Sequence, residues 1–221
     1  MSWFKFNGIH SDDMKIIVES LPSVVKPPKR YNLIEVDGRY SMDTEILGYK
    51  AYEKVIPVGF REANLTSIYD WLDGTGQLIL SNEPDKYYLA EVLDRIDYKK
   101  AISFRKAEIS FLVQPCKYAI EYETTATTLF NRGNVNCYPL MTIYGTGTVG
   151  VKVNGVLACT LTITDNITLD CEEQEAYKGT IATSQNRQMV GDFPVFVPGV
   201  NVLTFTGTVT EVKTTVRSRW L

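Results

Sequence analysis

His10 is the one histidine in 221 residues, and it lies in Gly8-Ile9-His10-Ser11-Asp12-Asp13, where an imidazole, a hydroxyl and two carboxylates stand side by side. Those residue types are the ones a hydrolytic triad uses. Their spacing is not, because neighbours along an irregular segment do not generally point at one another, so the sequence predicts a histidine on a surface turn. A lone imidazole also removes most zinc-hydrolase schemes, which need several ring ligands or an imidazole base. Gly145-Thr146-Gly147-Thr148-Val149-Gly150 fits the G-x-G-x-x-G pattern and follows a strand-like run, Leu140 to Tyr144. A dinucleotide site needs a helix N-terminus next, to hold the pyrophosphate. Alternating valines follow instead, so the run predicts a glycine-rich turn between strands.

Glu172, Glu173 and Glu175 read as a solvated acidic loop, and among 26 acids nothing marks two that face each other for glycoside cleavage. Cys116, Cys137, Cys159 and Cys171 lack the paired spacing of a zinc knuckle or a redox pair, which predicts buried free thiols. Tyr118, Tyr122, Tyr138, Tyr144 and Tyr177 could stack on sugar rings if exposed, although tyrosine is also an ordinary strand residue. The sequence therefore nominates no catalytic residue, no cofactor-binding residue and no metal ligand.

The elements that must position these residues are mostly strands. One stretch departs from that: Leu65, Ile68, Tyr69 and Leu72 fall at i, i+3, i+4 and i+7 and predict one face of a short helix, with Asn64 as its N-cap. Gly74 and Gly76 are expected to end it, Gln77 to Leu80 to form a buried strand, and Asn82-Glu83-Pro84-Asp85 to turn the chain into another strand from Lys86 to Leu93. Before it come Trp3, Phe4 and Phe6 leading to an Asn7-Gly8 turn, and Ile16 to Val18 as a short strand. Next are a solvated turn at Lys26 to Arg30, a tight hairpin at Asp37-Gly38 after Leu33 to Val36, and an alternating Ile56, Val58 and Phe60. After it Phe104, Ala107, Ile109, Phe111 and Val113 form a strand that Pro115 is expected to end.

Composition changes at that point. Residues 1–116 hold 3 threonines and 32 charged residues, and residues 117–221 hold 19 and 17. Threonine suits the pleated surface of a sheet, so the second half is expected to be almost wholly strand. Its clearest hairpin alternates Val149, Val151 and Val153 up to Asn154-Gly155 and Leu157, Cys159, Leu161 and Ile163 away from it. The fold class expected is mainly β: an N-terminal β domain with one short helix over 1–116, then a jelly-roll-like β-sandwich over 117–221. Net charge is −3 with no block of either sign, which predicts no sequence-specific hold on nucleic acid. No apolar run approaches the roughly 20 residues of a membrane span. The start, Met1-Ser2-Trp3-Phe4-Lys5, lacks the charged-then-apolar order of a secretion signal, and synthesis in a cytoplasm is expected.

Several short motifs taken together resemble the distal tail proteins of long-tailed bacteriophages, the Dit family. They are Trp71-Leu72 with Gly74 to Leu80, Ser81-Asn82-Glu83-Pro84-Asp85-Lys86-Tyr87-Tyr88, Gly191-Asp192-Phe193-Pro194 with Pro198-Gly199-Val200-Asn201, the opening Phe6-Asn7-Gly8-Ile9 with Ser11-Asp12, and the closing Arg217-Ser218-Arg219-Trp220. The resemblance spans nearly the whole chain. It implies a homo-hexameric ring built by the N-terminal domain, with the tail tube protein on one face and the tail-tip hub protein on the other. A galectin-like C-terminal sandwich would sit at the periphery, where in some phages it holds receptor-binding proteins. It further implies a virion component of the tail tip, assembled in the host cytoplasm, without catalysis, cofactor or membrane insertion. Larger members carry an inserted sugar-binding module that this chain has no segment to supply. Two rival readings remain at this level: a carbohydrate-binding sandwich gripping a cell-wall glycan through exposed tyrosines, and a glycan-cleaving enzyme. The residues of the ring interfaces are not readable from sequence.

Overall fold

Asn7 and Gly8 both take positive φ, 50° and 81°, and close β1 (Phe4–Phe6) on β2 (Ile9–His10) with Phe6 opposite Ile9. This is the turn that Asn-Gly favours, because its twist matches that of the two strands it joins. The computed structural model describes residues 2–35, 37–38, 40–41, 43–61, 65–92, 98–101 and 104–221. It forms two compact units, Met1–Lys117 with Leu221, and Tyr118–Trp220.

The first unit continues with β3 (Ile17–Val18), β4 (Lys29–Ile34), β5 (Asp43–Tyr49), β6 (Tyr52–Arg61), α1 (Leu65–Trp71), β7 (Gly74–Leu80), β8 (Glu83–Val92), β9 (Tyr98–Ala101) and β10 (Phe104–Ala119). Its main sheet runs β2-β1-β7-β8-β10-β6-β3, with β9 also on β10, while β4 and β5 pair only with each other. The core is made by Phe4, Phe6, Ile56, Val58, Phe60, Leu78, Leu80, Tyr88, Ile109, Phe111 and Val113 of the strands, with Ile68, Trp71 and Leu72 from the helix segment. Trp71 stacks on Phe4 at 5.4 Å and donates its indole N–H to the Phe6 carbonyl at 2.9 Å. That single residue ties helix to sheet by packing and by a hydrogen bond.

The helix is present but turned from its expected face. Ile68, Trp71 and Leu72 are buried, and Tyr69 points outward at 38% exposure. Period-3.6 spacing allows either stripe, and the large apolar surface of Trp71 decides it. The expected Asn64 cap lies outside the described residues, as do residues 93–97. Gly76 is not a helix end but an interior residue of β7, where a Cβ would fall 1.6 Å from the Asn7 Oδ1. The turn after β7 is Ser81-Asn82, so Glu83 already belongs to β8, opposite Leu80. Pro115 does not stop β10. The β6 ladder ends at Val113 opposite Tyr52, so on that side proline has no pairing amide to lose.

The second unit contains β11 (Thr128–Asn131), β12 (Leu140–Val153), β13 (Val156–Ile163), β14 (Asn166–Asp170), β15 (Glu175–Lys178), β16 (Thr180–Ser184), β17 (Met189–Gly191), β18 (Gly199–Thr215) and β19 (Arg219–Trp220). Its two long strands serve both layers of a sandwich. β12 pairs with β14 over Leu140 to Tyr144 and with β13 over Gly147 to Val153, while β18 follows it along nearly its whole length. Met141, Ile143, Val149, Val151, Cys159, Leu161, Leu169 and Phe196 fill the space between the layers. The two units thus have separate apolar cores with no residue in common. The mainly β class, with one α-helix among the described residues, is the one expected.

Candidate functional site

The triad-like residues are occupied structurally. His10 Nδ1 accepts the Asp12 amide at 3.1 Å, and the ring lies 4.8 Å from Trp3. Ser11 is fully buried, its Oγ facing the Phe4 amide at 3.4 Å. Hydroxyl and imidazole each face a backbone amide, and together they hold the turn after β2 against β1.

The glycine run lies inside β12, where the strand bends from one layer to the other, and is not a turn between two strands. Its register with β18 shifts at Tyr144 to Gly145 and again at Thr146 to Gly150. No helix follows, so no orphan amides converge there on a phosphate. Across the bend Gly207 sits at φ 87° with its missing Cβ 2.2 Å from the Thr148 carbonyl. The glycines let two backbones cross closely, which requires both their size and their freedom at positive φ.

Glu172 is not a solvated acid. It accepts the Tyr118 hydroxyl at 2.7 Å and faces Arg219 and Arg217 at 3.6 and 3.8 Å, while Arg217 forks onto Asp170 at 2.6 and 3.0 Å. Burial pushes the Asp170 carboxyl up, but Arg217 and the Glu173 and Glu172 amides outweigh it and hold the group below its ordinary range. Each acid has its basic or amide partner, and the cluster fastens the last strand to the β14 end. Cys137, Cys159 and Cys171 are buried thiols, as expected, whereas Cys116 is only half-buried; burial raises the thiols of Cys137 and Cys159 to about 12 and that of Cys171 further, which leaves those three inert. Among the described residues no group of three histidines, cysteines or acids is placed to hold a metal.

The tyrosines do not make a shared stacking surface. Tyr118 is buried, the Arg219 guanidinium covers the Tyr138 ring at 4.3 Å, Lys213 lies over Tyr144 at 5.7 Å, and Tyr177 is half-buried in β15, leaving Tyr122 at 86% exposure.

Two features of the first unit go beyond the sequence reading. One is a polar cluster inside it. Lys117 contacts the Glu83 carboxylate, Tyr88 donates its hydroxyl to the same group at 2.8 Å, and buried Lys54 lies 4.8 Å from the Tyr88 ring centre and donates to the Ser23 carbonyl at 3.1 Å. Burial pushes Glu83 up, yet Lys117, Tyr88 and Lys86 hold it below its ordinary value. Burial lowers Lys54, with Glu83 opposing, and burial with Glu83 raises Tyr88. The signal for Lys54 was available, since it shares the inward parity of Ile56, Val58 and Phe60 along β6.

The other is the β4–β5 hairpin. Its strands pair from Lys29 opposite Tyr49 to Ile34 opposite Asp43, so the connection runs from 35 to 42 and is longer than the tight Asp37-Gly38 turn expected. Lys29 and Arg30 belong to β4 and not to a turn. Opposed residues share a face, which puts Tyr31, Leu33, Thr44 and Ile46 on one side and Arg30, Asn32, Ile34, Asp43 and Glu45 on the other. Tyr31, Leu33 and Ile46 are 53, 52 and 58% exposed. A lone two-stranded hairpin is at best marginal in water. This one is held at its root, where Lys50 donates to Pro28, Lys54 to Ser23 and Asn82 to Pro22.

The chain thus has two β units with separate cores and, in the first, a hairpin with one uncovered apolar face. No protein-family model matches this chain, and no curated protein matches it. Solved structures do. The Dit protein of phage SPP1, described as a paradigm of the hub adsorption apparatus in phages infecting Gram-positive bacteria, superposes with a TM-score of 0.72 at 17% identity, covering 100% of both chains. A chain of the phage P2 baseplate in its activated conformation with Ca gives a TM-score of 0.57 at 11% identity over 100% of this chain and 98% of that one. The corresponding structure with Sr gives 0.54 at 10% identity over 97% of each. This chain shares their fold over its whole length. Among the described residues no helix is long and apolar enough to cross a membrane.

Proposed function

We propose that this chain is a structural subunit of a phage tail tip, acting by assembly and not by catalysis. Residues 1–116 build a homo-hexameric ring between the tail tube and the tail-tip hub, and residues 117–221 form a peripheral sandwich. The observation that carries the reading is the likeness of the whole chain, end to end, to the hub protein of SPP1. The uncovered apolar face of the β4–β5 hairpin supports it, because a ring of identical subunits needs surface of this kind on each copy. Its place is the virion, after assembly in a host cytoplasm, with no sequence-specific contact to the DNA that passes it.

The test is the native mass of the purified full chain over a range of concentrations, alone and with a phage tail-tube protein. A sixfold mass supports the reading. Turnover of a cell-wall glycan that a single carboxylate change abolishes, or a chain that stays monomeric with its neighbours present, counts against it.

A further inference from the structure

A head-to-tail ring needs two different patches on each subunit, one to give and one to receive. The hairpin is one. Resting on the ring reading above, we propose that the apolar face of the β4–β5 hairpin of one copy seats in an open groove of the next copy's first unit.

The groove has a volume of about 510 Å³ and is walled by Ala51, Gly76, Leu89, Ala90, Leu112 and Val113. In the β7–β8 register Leu78 lies opposite Tyr88 and fills the core, whereas the next inward pair is Gly76 opposite Ala90. The Asn7 side-chain amide lies over Gly76 and closes that end of the groove, which leaves Ala90 with Ala51, Leu112 and Val113 as its apolar part. The volume falls in the roughly 300–1,000 Å³ range of clefts that take a ligand-sized group, and Tyr31, Leu33 and Ile46 together make such a group.

The chain's own hairpin does not fill it, since those three side chains stay more than half exposed. Hollow and apolar face are therefore both unmatched within one copy, which points to a second copy as the occupant. Charge agrees with this direction of docking. Lys29 shares the face of Tyr31, and Glu91 stands in the groove wall.

The test uses the full chain with Cys116→Ser, Leu33→Cys and Gln114→Cys, because Leu33 lies on the hairpin face and Gln114 lines the groove and is exposed. The remaining cysteines are buried. Mild oxidation followed by non-reducing electrophoresis is expected to give linked dimers up to hexamers, and neither cysteine alone is expected to do so. Native mass is read on the same samples. Sixfold assemblies without the link, or a link confined to single chains, overturn the docking and leave the ring standing; a chain monomeric at every concentration with a tail-tube protein present overturns both. As a check that does not depend on cysteines, Thr75→Arg at the groove wall is expected to raise the concentration needed for assembly about tenfold or more with an unchanged unfolding midpoint. Wild-type assembly by that variant counts against the seat.

Discussion

Glu83 holds the interior of the first unit together at the residue scale. Its side chain is 11% exposed and shared by Lys117, Tyr88 and Lys86. Removing one partner of a buried charged pair leaves the other without compensation, which costs about 3–5 kcal/mol. Glu83→Ala is therefore expected to destabilise the first unit by about 3 kcal/mol in urea unfolding. Lys178→Ala, which breaks an exposed pair with Asp165, is expected to change stability by less than about 1 kcal/mol. The pH dependence follows from the same carboxylate. Glu83 is held below its ordinary 4.5, so in the acid range the unfolded chain binds more protons than the native one. Its contribution is complete above pH 4.5 and fades as pH falls through the depressed native value. Stability curves of wild type and Glu83→Gln should differ most at neutral pH and converge in acid. Parallel curves across that range would refute the assignment.

At the element scale the hairpin separates folding from assembly. Leu33 and Ile46 are already more than half exposed in one copy, so changing them removes little of what holds the monomer. The double variant Leu33→Lys, Ile46→Lys is expected to keep the monomer's unfolding free energy within about 0.5 kcal/mol of wild type and to abolish assembly, read by native mass. A large drop in stability would instead show the face to be part of the fold. Much of the element plan was legible in local chemistry. Both Asn-Gly pairs make the hairpins that positive φ predicts, since Asn154 and Gly155 take 52° and 82° between Val153 and Val156. Periodicity located the helix, but it could not choose between Tyr69 and Trp71 for the buried side. The hairpin's second strand was hidden in a polar stretch, because β5 alternates against charged neighbours. Nor does any local pattern reveal that an apolar face has been left uncovered. The role of the glycine run was likewise out of reach, because it depends on Gly207 and Thr208, some 60 residues away.

For the whole molecule, the step in composition has a physical reading in the strands. Most threonines of the second unit stand at exposed positions, Thr148 and Thr162 opposite each other among them, so β-branched side chains favour the pleat at the surface, whereas Thr168 and Thr214 are buried. The inward positions remain aliphatic and form a core that shares no side chain with the first. Units with separate cores are expected to unfold separately. Leu161 is completely buried in the second core, and Leu→Ala at such a site costs about 2–5 kcal/mol. For a unit of about 100 residues each kcal/mol moves the midpoint by about 4–8 °C. Leu161→Ala should therefore lower one calorimetric transition by about 10 °C or more and leave the other where it was. Phe111→Ala, in the first core, should do the reverse. Trp3 and Trp71 lie in the first unit and Trp220 in the second, so most of the tryptophan fluorescence change should follow the transition that Phe111→Ala moves. Two variants that shift both transitions together would show that the units share one cooperative core.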